Sequence, residues 1–243
     1  MIGSYWERRD ARAELEDLLA NKDEFIAAVS HEVRTPLTAV VGFASELDEH
    51  GDEFSEAERA DLTSLLAEQS REMANIVDDL LTAARADAGA LVVAPEALSV
   101  RKLVGDVLSS HPTWVDFAID EDILVLADPG RARQILRNLL TNADRYGGDT
   151  VKIHAHQTSG NTVRLEVRDN GHGIPYQLRS HVFEPYARAK TGSAQPASVG
   201  LGLAVARQLA RLMGGDVVLS ELDGWTVFTL CLPAAAPLPY SVA

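Results

Sequence analysis

The apolar residues of this 243-residue chain keep two different periods, and the switch near residue 90 limits the fold more than any other feature. Before it, Phe25, Val29, Val33, Leu37, Val40, Ala44 and Leu47 recur by threes and fours, the rhythm of one helix face. His50-Gly51-Asp52 breaks that helix. Ser55-Glu56-Ala57-Glu58 then reads as a capping box, and Leu62, Leu66, Gln69, Met73, Ile76, Leu80 and Ala84 form a nearly strict heptad seam that stops at Gly89. After Leu91 the pattern predicts short strands over 98–100, 115–119, 123–127, 151–156, 163–168, 216–221 and 225–232. Helices are predicted over 101–109, 129–146 and 201–213, with hairpin turns at Ser159-Gly160-Asn161 and Asp223-Gly224. The expected architecture is an α-helical hairpin forming a dimeric four-helix bundle, followed by an α+β sandwich with helices on one face of a mixed sheet.

Two helices alone bury too little apolar surface to stand by themselves. A second copy would complete a four-helix bundle, which predicts a homodimer; packing of the hairpin on its own C-terminal domain is the alternative. Leu15, Leu18 and Leu19 continue the apolar rhythm toward Phe25 and Ile26, so the first helix should run unbroken through 1–22. The expected segments are a signal-transmitting helix over 1–22, a helical domain over 23–90, an α+β domain over 91–233 and a flexible tail over 234–243.

Composition narrows the function classes. No apolar run approaches the roughly 20 residues that span a bilayer, and the charged N-terminus lacks the apolar stretch of a signal peptide. The single cysteine, Cys231, cannot form an internal disulfide and suits a reducing, cytoplasmic setting. A net charge of −14 argues against nucleic-acid binding. A phosphate-binding site here must therefore rely on local donors, helix N-termini and a metal.

Ser30 to Val40 reads SHEVRTPLTAV. At about 100° per residue, His31 points roughly 200° away from the buried Val33, into solvent, where it is free to react. Glu32 can hydrogen-bond one imidazole nitrogen and fix the tautomer, leaving the other as a nucleophile near neutral pH. Pro36 removes a helical hydrogen bond just after the site and should bend the helix. A surface histidine beside an incidental kink is the plain alternative.

Four further segments point to a nucleotide. On the helix ending NLLTNADRYGG, Asn138, Asn142, Arg145 and Tyr146 share one face, opposite the apolar Ile135, Leu136, Leu139 and Ala143. The two amides offer oxygens to a hard cation such as Mg²⁺ and NH₂ groups to phosphates; Arg145 adds charge and Tyr146 a flat ring. Either asparagine taken singly could equally be a helix cap. Asp169-Asn170-Gly171-His172-Gly173 follows a strand, so Asp169 could accept a hydrogen bond from an exocyclic amine while Gly171 and Gly173 admit a flat ligand. His172 reads as an exposed turn residue. Val182-Phe183-Glu184-Pro185-Tyr186 is an apolar anchor before the polar ARAKTGSAQPAS, which suits a lid, with Arg188 or Lys190 able to reach a γ-phosphate or simply solvated. Gly200-Leu201-Gly202-Leu203 opens an apolar helix whose first N–H groups favour an anion.

In this order the segments resemble the catalytic core of a sensor histidine kinase of two-component signalling. SHEVRTPL is similar to the family's H box, NLLTNADRYG to its N box, DNGHGI to its G1 box, VFEPY to its F box and VGLGLA to its G2 box, across about residues 20 to 232. The resemblance implies a Bergerat-type ATP-binding fold, shared with gyrase-type ATPases, with ATP and Mg²⁺ as ligands. It also implies His31 as phosphoacceptor, Glu32 as its acid–base partner and Thr35 as the position that orients water when such kinases act as phosphatases. Asn142, with Asn138, would hold Mg²⁺, and Asp169 would receive the adenine amine. Arg145 stands where the family often has lysine. Gly171 and Gly173 would shape the adenine pocket, and Gly200 and Gly202 would frame lid and phosphates. The implied partners are a second copy, a response-regulator receiver domain and an upstream sensor domain outside this chain. Val199 departs from the small hydroxyl residue common before the G2 glycine, and the short segment before the N box predicts a trimmed sheet edge. A clamp-type ATPase would need neither the exposed histidine nor Thr35, and a degenerate scaffold would not need the asparagines, Asp169 and both glycine pairs.

Overall fold

The computed structural model describes residues 3–109, 115–119, 123–184 and 201–235, with side chains from residue 26 onward except 28 and 87. The segment expected to form a lid, with Arg188, Lys190, Val199 and Gly200, the last eight residues, and the leucines before Phe25 lie outside the described side chains. The chain divides into two compact units, one built on the long helices as far as Leu81 and the other beginning at Thr82.

In the first unit, α1 (Gly3–His50) continues through Pro36, and α2 (Glu56–Asp87) follows a short turn. The start of α2 is the expected capping box. Ser55 N–H donates to Glu58 Oε2 at 2.8 Å, and Glu58 N–H donates back to Ser55 Oγ at 3.3 Å. Those bonds hold the Glu58 carboxyl below its usual pKa, chiefly through the Ser55 N–H. The helix ends at Gly89, whose φ of 63° turns the chain so that Gly89 N–H and Ala90 N–H close onto the Ala86 and Arg85 carbonyls. Along α2 the seam residues Leu62, Leu66, Gln69, Met73, Ile76 and Leu80 are half-buried, while Leu65, Val77 and Leu81 stand exposed beside them. On α1, Leu37 and Val41 are exposed as well. No helix among the described residues is long and apolar enough to cross a membrane.

The second unit is a two-layer sandwich. Strands β2 (Asp116–Ile119), β4 (Val151–Gln157), β5 (Thr162–Asp169), β7 (Trp225–Pro233) and β6 (Asp216–Leu222) lie side by side in that order. Only the β2–β4 pair is parallel. A separate antiparallel pair joins β1 (Glu96–Ser99) to β3 (Leu124–Ala127). Helices α3 (Val100–Leu108), α4 (Pro129–Tyr146) and α5 (Gly202–Leu212) cover one sheet face. Ile135, Leu136 and Leu139 of α4 and Ala206 and Leu209 of α5 meet Ile153, Val167, Phe228 and Leu230 in the core. This is the mixed sheet with helices on one face that the alternation of β- and α-period segments predicts.

One boundary moved. The strand expected over 98–100 runs from Glu96 and stops at Ser99, because Ser99 Oγ accepts the Lys102 N–H and caps α3, which begins at Val100. The α4 start is fastened more firmly. Asp128 Oδ1 accepts from Gly130 and Arg131 N–H at 2.9 and 3.1 Å, Oδ2 accepts from Ala94 N–H, and Pro129 takes the first helical position. Burial raises the Asp128 pKa, but these N–H groups and the Arg131 charge outweigh it and hold the carboxyl below its ordinary value.

At the start of β6, Asp216 binds two arginines of α5. Arg207 Nε and Nη2 donate to its oxygens at 2.8 and 3.1 Å, and Arg211 adds a looser pair. The Arg207 bonds, against a smaller burial effect, bring the Asp216 pKa down to about 2 from 3.8. A depressed carboxylate stabilises the fold above its unfolded pKa, and that stability is lost as pH falls through the folded one. The expected loss between pH 4 and 2 is about 1 kcal/mol, since solvent screens this one-third exposed pair. Thermal melts of Asp216→Asn should sit about 2–4 °C below the unaltered chain at pH 7 and converge with it near pH 2. A constant difference across that range would remove the pair as the cause.

Candidate nucleotide site

The helix that carries Asn138 and Asn142 acts as the spine of the candidate site, because Asn138 meets the start of α5 and Tyr146 meets the turn after β5. Its buried face behaves as its sequence predicts, with Ile135, Leu136 and Leu139 at 0% exposure and Ala143 at 1%. Asn138 is 9% exposed, and its Nδ2 donates to the Gly202 carbonyl at 3.1 Å. A Cβ on Gly202 would lie 3.5 Å from the Asn138 amide, so the start of α5 rests directly on the asparagine. The structure thus brings together the first and fourth of the segments expected to form a nucleotide site.

Gly202 opens α5, and Leu201 before it is 5% exposed. Leu203 packs partly against the core. Their side chains anchor the helix, so what Leu201, Gly202 and Leu203 offer an anion is backbone N–H. Phe183, from the expected apolar anchor, packs edge-on against Phe228 at 6.2 Å between ring centres, with the Arg207 guanidinium 4.6 Å above it. Arg179 ties the same stretch back through the Ile174 carbonyl and Glu221.

One turn after Asn138, Asn142 is half-exposed on the same face; Arg145 is exposed and Tyr146 half-buried. At Tyr146 the helix meets the turn that follows β5. A Cβ on Gly171 would stand 2.6 Å from the Tyr146 carbonyl, 2.8 Å from Gly147 Cα and 2.9 Å from Asp169 Oδ1. No side chain fits there. Gly147 is equally confined, its Cβ position lying 2.9 Å from Asp169 Cβ. Asn170 stitches the two strands of chain together, since its Oδ1 accepts the Thr150 N–H at 2.9 Å and its Nδ2 donates to Asp149 at 2.8 Å. Gly173 takes φ +74° in open space and His172 is exposed.

Asp169 closes β5 beneath this junction with 4% of its surface exposed. Burial pushes its carboxyl pKa up, against the Gly171 N–H at 3.1 Å and the Thr226 hydroxyl that favour the charged form. A buried acceptor with lone pairs to spare, next to a turn that excludes side chains, suits the exocyclic amine of a flat base. A neutral amide oxygen such as Asn142's suits Mg²⁺, which keeps several waters and takes most of its ligands from phosphate. The donor set fits that ion.

The helical unit places the remaining residues. His31 is exposed, Glu32 half-buried and Pro36 buried on α1. Thr35, exposed one turn after His31, donates its hydroxyl to the His31 carbonyl at 3.2 Å. Pro36 has no N–H, so the Glu32 carbonyl loses its helical donor at this point. Sequence reasoning missed Asp128, Thr226, Asn170 and the Gly147–Gly171 contact. Only Asp-Pro-Gly before an apolar helix carried a readable signal, that of an N-cap.

Comparison with known proteins agrees with this geometry. Residues 21–89 match the family described as "His Kinase A (phospho-acceptor) domain", and residues 127–236 match "Histidine kinase-, DNA gyrase B-, and HSP90-like ATPase". The probable sensor histidine kinase TcrY of Mycobacterium tuberculosis is 35% identical over 86% of this chain and 45% of its own length. The sensor protein TorS of Escherichia coli is 32% identical over 97% of this chain and 27% of its own. The chain therefore spans less than half the length of these relatives. Among solved structures, full-length ShkA in complex with AMPPNP aligns with a TM-score of 0.60 at 29% identity, covering 88% of this chain and 46% of that one. The Acinetobacter baumannii histidine kinase AdeS shares the fold, with a TM-score of 0.59 at 24% identity over 85% of this chain and 98% of that one.

Proposed function

The chain belongs to the histidine kinases and carries their catalytic core, and from that premise we propose that it phosphorylates itself on His31 and passes the phosphoryl group to a response-regulator aspartate. The observation that carries this reading is the exposed His31 on α1 in the same chain as the Asn138–Gly202 and Tyr146–Gly171 junctions. An ATPase that works as a clamp has no use for that histidine. The ShkA complex with AMPPNP supports an adenine nucleotide as the ligand.

In this reading Asp169 accepts the adenine amine, and the close approach at Gly171 lets the base lie against backbone. Asn142 and Asn138 face the phosphates, joined by Arg145, with Arg188 and Gly200 from the segment outside the described residues, while Tyr146 offers its ring to the base and Gly173 shapes the adenine pocket with Gly171. Mg²⁺, held by Asn142 with Asn138 nearby, would neutralise phosphate charge. One imidazole nitrogen attacks the γ-phosphorus, the bond to the bridging oxygen breaks, and ADP leaves. Glu32 holds the other ring nitrogen and accepts the proton that the imidazole must shed. Catalysis rests mainly on positioning and charge neutralisation. A label acquired from γ-labelled ATP that is stable in alkali and lost in acid, as a phosphoramidate is, would support the reading. Failure to acquire label would overturn it.

We assign residues 23–90 to dimerisation and phosphotransfer, 91–233 to ATP binding, 1–22 to signal entry and 234–243 to a tail. The exposed Leu37, Val41, Leu65, Val77 and Leu81 beside a half-buried seam support a second copy completing the bundle. The full protein would place this chain in the cytoplasm downstream of a sensor, with the regulator docking near His31.

Thr35 supports a second activity at the same place. With its hydroxyl one turn from His31, it can hold a water in line with a phosphoaspartate on the docked regulator. Thr35→Ala should keep self-phosphorylation and transfer while slowing loss of phosphate from the regulator about tenfold or more. Equal dephosphorylation rates would end this part of the reading.

A further inference from the structure

The polar face of α4 begins before its asparagines, with a buried cluster that neither family boxes nor nucleotide chemistry account for. Gln134 lies one turn before Asn138 and is 2% exposed. Its Nε2 donates to Thr82 Oγ1 at 3.3 Å, and its Oε1 accepts from Arg131 Nη1 at 2.9 Å. The same Arg131 nitrogen donates to Thr82 at 3.3 Å. Thr82 is itself 2% exposed and sits in the last turns of α2, which runs unbroken from Glu56 to Asp87. All three residues belong to the second unit.

Apolar side chains of like volume would bury there at least as well, because buried polar groups must first recover the cost of leaving water. What a hydrogen-bonded cluster adds is direction. Turning α2 by one residue would swing Thr82 away by about 100° and bring Leu81 or Ala83 against Gln134, breaking the bonds that Gln134 Nε2 and Arg131 Nη1 donate to the Thr82 hydroxyl. An apolar contact would tolerate the same slip. The consequence travels along one face of one rigid helix, from Gln134 through Asn138, which holds the Gly202 carbonyl, to Asn142.

We propose that Thr82, Gln134 and Arg131 form a positioning latch that sets the rotational phase of the α2 terminus against α4 and thereby the geometry of the nucleotide site. The latch rests on the nucleotide reading above. It makes the end of α2 a part of that site, so that ATP affinity depends on how this helix is turned.

The test uses the full chain with three substitutions. Thr82→Val keeps the shape and removes the hydroxyl, Thr82→Ser keeps the hydroxyl, and Gln134→Met removes the amide at similar length. Titration with a fluorescent non-hydrolysable ATP analogue reads affinity, and thermal melting followed by circular dichroism reads folding. Thr82→Val and Gln134→Met should each weaken binding about three- to tenfold at temperatures where both remain folded, and Thr82→Ser should stay within about twofold. The double substitution Thr82→Val with Gln134→Met should lose no more than either alone, as residues acting through one contact do. Unchanged affinity in Thr82→Val, or losses that multiply in the double variant, would overturn the latch and leave a merely structural cluster. If the unaltered chain failed to bind the analogue, the nucleotide reading would fall and the latch with it.

Discussion

His31→Gln is expected to abolish phosphorylation of the chain by ATP while leaving nucleotide affinity within about twofold of the unaltered protein. Glutamine keeps polarity and approximate length but offers an amide nitrogen whose lone pair is delocalised and cannot attack phosphorus. His31 is exposed, so its replacement leaves no cavity and no unpaired buried group. The proposed nucleotide site draws on residues more than a hundred positions later, in a unit with its own core. Filter assays for acid-labile label and titration with an ATP analogue check the two halves separately. Label persisting in His31→Gln would move the acceptor elsewhere, and loss of both activities together would show that the substitution acts through folding.

The second large effect is expected at the floor of the nucleotide site. Asp169→Ala removes the buried acceptor and leaves the Gly171 N–H and the Thr226 hydroxyl without it. Such orphaned groups cost about 1–3 kcal/mol, and the lost contact with the base adds to this, so ATP affinity should fall tenfold or more. Gly171→Ala should do as much without touching a polar group. Its Cβ would press on the Tyr146 carbonyl and Gly147 Cα at 2.6 and 2.8 Å, and neither is the end of a flexible side chain. Asn142→Ala, by contrast, removes a half-exposed amide, so it should weaken binding of Mg·ATP more than that of metal-free nucleotide. Calorimetric titration with and without Mg²⁺ distinguishes these cases. Unaltered affinity in both Asp169→Ala and Gly171→Ala would displace the site.

Periodicity made most elements legible because it reports burial directly. Seam residues of α2 chosen by heptad spacing are half-buried from Leu62 to Leu80, with Ala84 at the end exposed, and the apolar face of α4 is the one at 0–1% exposure. The capping box at Ser55 and the stop at Gly89 were readable because their hydrogen bonds close within a few residues of chain. The displaced end of β1 shows the limit of that signal. Ser99-Val100 continues an apolar strand by pattern, yet a single hydroxyl bonded to Lys102 N–H commits Val100 to a helix. Within the site, Asp169, Gly171 and Gly202 were singled out by residue type, and the contacts each one makes were not.

The sequence by itself determined the helical hairpin, the alternation of strands and helices after it, the exposure of His31 and Thr35, and the family to which the chain belongs. These follow from local rules, in which side-chain direction repeats every 3.6 or 2 residues and caps act over three or four. Only the tertiary structure decided the strand order, in which β5 lies between β4 and β7 and so delivers Asp169 to the end of α4. It also decided that Asn138 holds Gly202, that Gly147 and Gly171 touch, and that Thr82 reaches Gln134. Each of these joins residues 24 to 64 positions apart through one donor or one missing Cβ. No period records such a contact, because it depends on how two packed layers settle against each other and not on the pattern of either one.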